Sequence, residues 1–272
     1  MQILSLPVPI FGFNFNDQLD LQGIVAGVNR VHTPSILMLS EKAIRFSGLT
    51  YLLNLFRAAQ AESGVRLFLE LDHGKDMGLI ELCVQMEFDL IMVDFSDADF
   101  ESNVLRTRKM VEMAHSAGII VEGELGQIPN LEARTGVYKN YLTDPDLAAQ
   151  FVERTNVDLL AASVGNWHGF DREKPDPDFD LIRELARRSK APLVLHGGDF
   201  YSTTIIRRAL QAGIGKVNLG PELRVVYVDA LLRGLEEIDT YSADQRPVLE
   251  MARQAIEHLV LDRLSALSGS DS

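Results

Sequence analysis

Only one cysteine stands among the 272 residues, and basic side chains are outnumbered by acidic ones, 26 to 39. Cys83 alone closes no internal disulfide, and without a CxxC pair the chain builds neither a cysteine zinc knot nor a dithiol redox centre. A reducing, cytoplasmic setting is expected. The formal charge of −13 opposes a nucleic-acid backbone, and no basic stripe offsets it locally, so nucleic acid is not an expected partner. Long apolar runs are missing as well. Nothing approaches the ~18 residues of a membrane span, and MQILSLPVPIFGF lacks the basic flank and small-residue cleavage site of a secretory leader. Neither membrane nor leader is expected.

What is present is an ordinary globular composition, 46% hydrophobic and 24% charged, with ample material for a core. Short apolar or β-branched runs recur at Ile10–Phe15, Ser35–Leu39, Val65–Leu71, Leu90–Phe95, Ile119–Leu125, Leu159–Val164, Pro192–Leu195 and Lys216–Leu219. Between them, Asp17–Val31, Leu49–Glu62, Met77–Glu87, Phe100–Ala117, Asp144–Arg154, Phe179–Arg188 and Thr203–Ala212 carry helical spacing, with Gly64, Gly118 and Gly213 placed as C-terminal caps. A helical extension over about 222–267 follows, in which Val248, Ala252, Ile256 and Leu259 share one face, and the tail SGSDS is expected to fray. No linker divides the chain, and GFNFND after the first strand is not the Gly-rich fingerprint of an open dinucleotide-binding sheet. The expectation is one (β/α)8 TIM barrel over residues 1–272, with its site at the carboxyl ends of the strands.

Those ends are polar. Strand one runs into Asn14-Phe15-Asn16-Asp17, strand two into Ser40, and strand three into Asp72-His73-Gly74. Glu122 and Glu124 end strand five, Asn166-Trp167-His168-Gly169 follows strand six, His196-Gly197-Gly198-Asp199 follows strand seven, and Asn218 lies in strand eight. Three of the six histidines, His73, His168 and His196, fall on this rim, and three protein ligands with an open fourth position make a catalytic zinc site. His32, His115 and His258 lie in helices or at their ends and read as structural. Asp72 is placed to move a proton beside a metal-bound substrate, provided the backbone turns so that it and His73 face one way. Cys83 reads as core. Lys216 opens its strand and is expected to point to the opposite rim, and Lys75, two residues past His73, is the remaining amine near the site, so a Schiff-base mechanism lacks a well-placed lysine.

With these motifs in order, the chain resembles the class II, metal-dependent fructose-bisphosphate and tagatose-bisphosphate aldolases. The resemblance rests on GFNFND, PSILMLSEKAIRFSG, LELDHG, VEGELG, YLTDPDLAAQFVERTNVDLLAASVGNWHG, APLVLHGG, KVN and DQRPVLEMAR, spread over nearly the whole chain. It implies that His73, His168 and His196 hold a divalent metal, usually zinc, that chelates a ketone donor and stabilises its enediolate. It further implies Asp72 as the acid/base at the aldol hydroxyl, Glu132 as the base taking the donor's α-proton, and Glu124 as support for the metal histidines. Asn218 would bond the enediolate, and Ser40 and Asn16 or Asp17 would lie near substrate, as would Gly197 and Gly198. Homodimers or homotetramers and a monovalent cation near the site are further habits of such enzymes.

The chain departs from that pattern where relatives bind the donor phosphate. Ser/Thr-bearing turns after strands seven and eight are replaced by Gly197-Gly198-Asp199-Phe200 and Asn218-Leu219-Gly220-Pro221, so that both hydroxyls are gone. A carboxylate about 4 Å from a phosphate costs several kcal/mol at an effective dielectric near 20. The expected activity is therefore a zinc-dependent aldol lyase acting on a ketone and an aldehyde, with a donor whose distal group is neutral or cationic and bonds Asp199. The alternatives are a conventional ketose-bisphosphate aldolase, a catalytically silent binding homologue, and a metal-assisted hydrolase on the same scaffold.

Overall fold

A computed structural model describes residues 6–128, 142–167, 169, 174–238 and 244–268. Eight parallel strands, β1 (Ile10–Asn14), β2 (Ser35–Ser40), β3 (Leu67–Gly74), β4 (Leu90–Val93), β5 (Ile120–Leu125), β6 (Leu159–Ala162), β7 (Leu193–Leu195) and β8 (Ile214–Leu219), close in sequence order, with β8 pairing back onto β1. This is a TIM barrel, as the alternation predicts. The helices are α1 (Gln18–Arg30), α2 (Glu41–Ser47), α3 (Leu49–Glu62), α4 (Met77–Gln85), α5 (Phe100–Ser116), α6 (Pro145–Thr155), α7 (Phe179–Arg188), α8 (Thr203–Ala212), α9 (Pro221–Glu237) and α10 (Arg246–Leu264). Among the described residues no helix is long and apolar enough to cross a membrane.

Acidic residues start many of these helices. Asp17, Asp76, Asp99, Asp144 and Asp178 each cap a helix following a strand, accepting from first-turn amides. Part of the negative charge is thus bound to helix N-termini. Gly118 and Gly213 adopt the positive φ expected after α5 and α8. Gly64 does not: Ser63 leaves α3 in extended geometry.

Side chains alternate in and out of the barrel wall. Ile10, Ile36, Met38, Phe68, Leu90, Met92, Ile120, Leu159, Ala161 and Val194 form the apolar lower interior, while the opposite parity packs against the helices. The same inward parity continues upward through Asn14, Asp72, Glu122, Glu124, His196, Lys216 and Asn218. Lys216 therefore does not open β8 toward the far rim. The strand begins two residues earlier, at Ile214, and carries Lys216 in mid-barrel, fully buried. Gly213 is the residue that caps α8, and the strand starts directly after it, with Ile214 paired to Leu193 of β7.

The terminal helix α10 packs on α1, where Gly23 and Gly27 meet Ile256 and Val260. A Cβ on either glycine would come within 2.6 to 2.7 Å of its nearest neighbour. This close approach clamps the last helix beside the first and ties β1 into the ring.

Candidate active site

The upper mouth is built by residues that end strands. β3 continues past its expected end through Asp72, His73 and Gly74, with a register shift against β4 between Leu71 and Gly74. His73 takes φ +51°, and this turn brings both side chains to the mouth, with His73 Nε2 3.9 Å from Asp72 Oδ1. The left-handed backbone is uncommon for a residue with a side chain, and here it places a ligand nitrogen.

His73 Nδ1 lies 3.0 Å from Asp94 Oδ2 and 3.5 Å from Glu124 Oε2. Its Nε2 lies 3.0 Å from His196 Nδ1. On the other ring, His196 Nε2 lies 2.7 Å from Glu122 Oε1 and 3.2 Å from Asn218 Nδ2. A ring nitrogen cannot both donate and accept, so the shorter contact decides: Nε2–H donates to the Glu122 carboxylate. His196 thus turns its protonated nitrogen to a carboxylate and the lone pair of Nδ1 to His73 Nε2, while His73 Nδ1 faces carboxylates in its turn. Zinc bonds of 2.0–2.1 Å in tetrahedral geometry separate two ligand nitrogens by about 3.3 Å. The observed spacing, together with Asp72, His73 and His196 ligand atoms all within 4.8 Å of one another, fits a divalent cation. Buried oxygens with no hydrogen-bond partner among the described residues complete the fit: Asp72 Oδ1, Glu124 Oε2 and Asn218 Oδ1.

The electrostatics agree. Burial opposes charging His73, but Asp72, Asp94 and Glu124 outweigh it and push the ring up to about 10. Burial and the charge of Asp94 lift Glu124 to about 8. Asp94 is held well below the usual carboxylate range; burial pulls the other way and is outweighed by His73, Ser96 and Lys75. His196, dominated by burial, is pushed down and stays neutral. The carboxylates around His73 favour positive charge at that ring.

Asp94 was not singled out by sequence, although as the residue just after β4 it keeps the inward parity. It also accepts from Ser96 Oγ at 2.7 Å and pairs with Lys75 at 3.3 Å, so Lys75 serves this carboxylate. Glu124 Oε1 lies 3.0 Å from the same Ser96 oxygen. Asn14 is a second omission. Its Nδ2 donates to Asp72 Oδ2 at 3.0 Å, whereas Asn16 turns away and donates from N and Nδ2 to Asp20 in the capping arrangement of α1. The structure places Asn14, the last residue of β1, at the mouth and Asn16 beyond the strand in the cap of α1; the two share one parity, and the end of the strand is what separates them. Ser40 stands at the mouth with its oxygen accepting from Ala43 as the cap of α2. His168 and Glu132 lie outside the described residues. Asn166, beside His168 in sequence, donates to the His196 carbonyl at 2.9 Å and so orients the end of β7.

Gly197 and Gly198 have a backbone reason. Gly197 takes φ +59°, Gly198 N donates to the Asn218 carbonyl at 3.1 Å, and a Cβ on Gly198 would lie 2.6 Å from Val217. The next residue, Asp199, does not project into the mouth as a substrate ligand. It is 1% exposed, and its Oδ1 accepts from the backbone amides of Gly220 at 2.9 Å and Glu222 at 2.8 Å. Gly220 is the N-cap of α9 and has no capping side chain of its own. Asp199 supplies it from the preceding loop. Glu222 adds a second carboxylate there, neutralised by a buried pair with Arg263, and accepts from Phe200 N. Burial lifts Asp199 to about 6, against the amide bonds and the nearby Lys174, which lower it. Lys174 Nζ donates to the Gly197 carbonyl and lies 3.7 Å from the Tyr201 ring centre.

Away from the mouth, Cys83 is fully buried and its thiol is pushed up to about 12, as befits core. His115 Nε2 lies 2.8 Å from Asp158 Oδ2, a carboxylate that also accepts from Val121 N, which is a structural tie.

A comparison with family models matches residues 8–272 to the family described as fructose-bisphosphate aldolase class-II. The fructose-bisphosphate aldolase of Thermus caldophilus is 31% identical over 277 residues, covering 93% of this chain and 90% of that protein. The sulfofructosephosphate aldolase of Alkalicoccus urumqiensis is 30% identical, covering 83% and 79%. Among solved structures, the YdjI aldolase of Escherichia coli K12 superposes with a TM-score of 0.83 at 26% identity, covering 96% of this chain and 92% of that one.

Proposed function

The chain belongs to the class II fructose-bisphosphate aldolase family, and on that premise we propose that it cleaves or forms a carbon–carbon bond between a ketone donor that carries no phosphate and an aldehyde. The family makes it a metal-dependent aldehyde-lyase. His73 and His196 would hold the metal, with His168 as the third ligand on the strength of the sequence resemblance. When bound, a divalent ion of the zinc type supplies Lewis-acid polarisation of the donor carbonyl.

The chain's own groups do the rest. Asp72, oriented by Asn14, holds and returns the proton at the aldol hydroxyl oxygen. Asn218, whose Oδ1 has no hydrogen-bond partner among the described residues, orients the donor by accepting from its hydroxyl group. Glu132 takes the donor's α-proton, a role assigned by resemblance alone. Asp94 and Glu124 hold His73 through Nδ1.

The observation that carries the donor assignment is the state of the α9 N-terminus. In TIM barrels the loops after strands seven and eight, with a helix N-terminus, commonly seat phosphate on backbone amides. Here the Gly220 and Glu222 amides already bind Asp199, and Pro221 between them has no N–H to give. A phosphate would have to displace a buried carboxylate and then sit beside it.

One observation favours the rival, phosphorylated donor: the Lys174 ammonium, carried by the segment between β6 and α7, reaches the Gly197 carbonyl of the loop after β7. Proton exchange decides between them. In deuterated buffer the zinc-loaded enzyme is expected to exchange the α-protons of unphosphorylated dihydroxyacetone faster than those of its phosphate ester. A strong preference for the ester overturns the donor assignment, and absence of metal-dependent exchange with either overturns the lyase reading for this site.

A further inference from the structure

Below the metal-facing histidines the barrel interior holds three charged side chains where TIM barrels ordinarily pack branched aliphatics. Glu70 from β3, Glu122 from β5 and Lys216 from β8 are each fully buried. Lys216 Nζ lies 2.6 Å from Glu70 Oε1 and 2.6 Å from Glu122 Oε2. Replacing such an ion pair by packed hydrophobic residues is often neutral or stabilising, so stability alone is a weak reason for this trio.

Its geometry supplies another. Glu122 uses one oxygen for each neighbour: Oε2 takes the Lys216 ammonium, and Oε1 faces His196 Nε2 at 2.7 Å. A carboxylate paired with an ammonium is an acceptor only, so the proton of the His196 ring must sit on Nε2 and the lone pair on Nδ1. That is the nitrogen facing His73 Nε2. Glu70 anchors the ammonium from the opposite side and leaves its own Oε2 without a hydrogen-bond partner.

We propose that Lys216 is a positioning residue for the metal centre: acting through Glu122, it fixes the ring orientation and the Nε2–H tautomer of His196, and so keeps Nδ1 available as a ligand. The proposal rests on the reading of His196 as a metal ligand, but its first readout needs neither metal nor substrate.

The test compares the metal-free wild type with Lys216→Met by nitrogen-15 NMR of the histidine rings, followed by zinc affinity measured against a competing chelator. Wild type is expected to show a single Nε2–H tautomer for His196. Lys216→Met is expected to lose that single tautomer and to bind zinc about 10–100-fold more weakly, the range seen when the outer partners of metal ligands are removed. Because this variant leaves two buried carboxylates without their cation and could fail to fold, Lys216→Met is also combined with Glu122→Gln. The double variant lacks both charges at the ring, and its glutamine amide can donate or accept at Nε2; a mixed tautomer and the same weakening are expected. Glu70→Gln, which keeps the Lys216–Glu122 pair, should retain the wild-type tautomer and zinc affinity within about threefold. A purely structural trio would lower the melting temperature and leave the tautomer alone. Wild-type tautomer and zinc affinity in the folded double variant overturn the proposal. If the tautomer shifts but no protein binds zinc, the positioning of the ring stands and the metal reading fails.

Discussion

Around Asp72 and His73 the mouth holds buried oxygens without hydrogen-bond partners, whereas across it, at the start of α9, the amides of Gly220 and Glu222 are already taken by Asp199. The two regions share loops and lie on the same rim, yet one is left electrostatically incomplete and the other is closed from within. An unpartnered buried polar atom costs roughly 1–3 kcal/mol, so a cluster of them is kept only where something else completes it. The first region has the form of a site that waits for a cation and substrate oxygens. The second has the form of a finished helix cap. Under the proposed function, reaction chemistry belongs to the first region, and the second is where a donor phosphate would be refused.

The largest effect should come from removing the incomplete region's centre. His196→Ala is expected to lower aldol activity by at least about a thousandfold and to reduce bound zinc from about one per chain to near none, read by metal analysis of the dialysed protein. Full zinc content with intact activity would erase the distinction between the two regions. Next, Asp72→Asn keeps the shape and the hydrogen bond from Asn14 but cannot take a proton; a loss in kcat of about 10²–10⁴-fold with zinc retained is expected. Loss of zinc together with kcat would instead make Asp72 chiefly a ligand.

A gentler probe is pH. In the metal-free protein His73 is raised to about 10, above its ordinary value of 6.5, so its protonated form is favoured in the folded state throughout the neutral range. Zinc must displace that proton. Zinc affinity should therefore rise about tenfold for each unit of pH between 6.5 and 8.5, and a flat profile would mean that His73 gives up no proton on binding.

How much of this was legible in the sequence differs between the same two regions. The alternation of apolar runs sufficed for eight strands in barrel order, and the polar strand ends marked the rim. Which side chains meet at the rim is set by inward parity and by where each strand stops, and the second of these is weakly marked in the sequence. Asn14 and Asn16 share one parity and only the end of β1 at Asn14 separates them, whereas Asp94 and Glu122 follow the inward parity of Met92 and Ile120 on their own strands. Lys216 sits in mid-strand because β8 starts at Ile214, directly after the Gly213 cap of α8, and the glycines on both sides of Ile214 mask that start in the sequence. Asp199 was visible as a departure from the family pattern, but its partners stand more than twenty residues on, and only the closed ring brings them together. A carboxylate expected to meet substrate instead meets its own backbone.

That last point carries the smallest predicted effect and the sharpest one. Asp199→Ser should free the Gly220 and Glu222 amides while keeping a short hydroxyl on the loop. Loss of a cap costs about 1 kcal/mol, or about 2–4 °C in melting temperature for a chain of this size. The cost should depend on pH. With Asp199 raised to about 6 from an ordinary value near 3.8, the folded state holds its proton more tightly than the unfolded one, so the wild type loses stability as pH rises through the window from about 4 to 6. The variant should lack that slope and lose less, relative to wild type, above pH 6 than below 4. The freed amides at a helix N-terminus then form an anion seat. Inorganic phosphate, measured by its protection of the folded state, should raise the variant's melting temperature and leave the wild type unchanged. Equal protection of both proteins would mean that phosphate is held by other groups, Lys174 first among them, and that the closed region is no barrier to a phosphorylated donor.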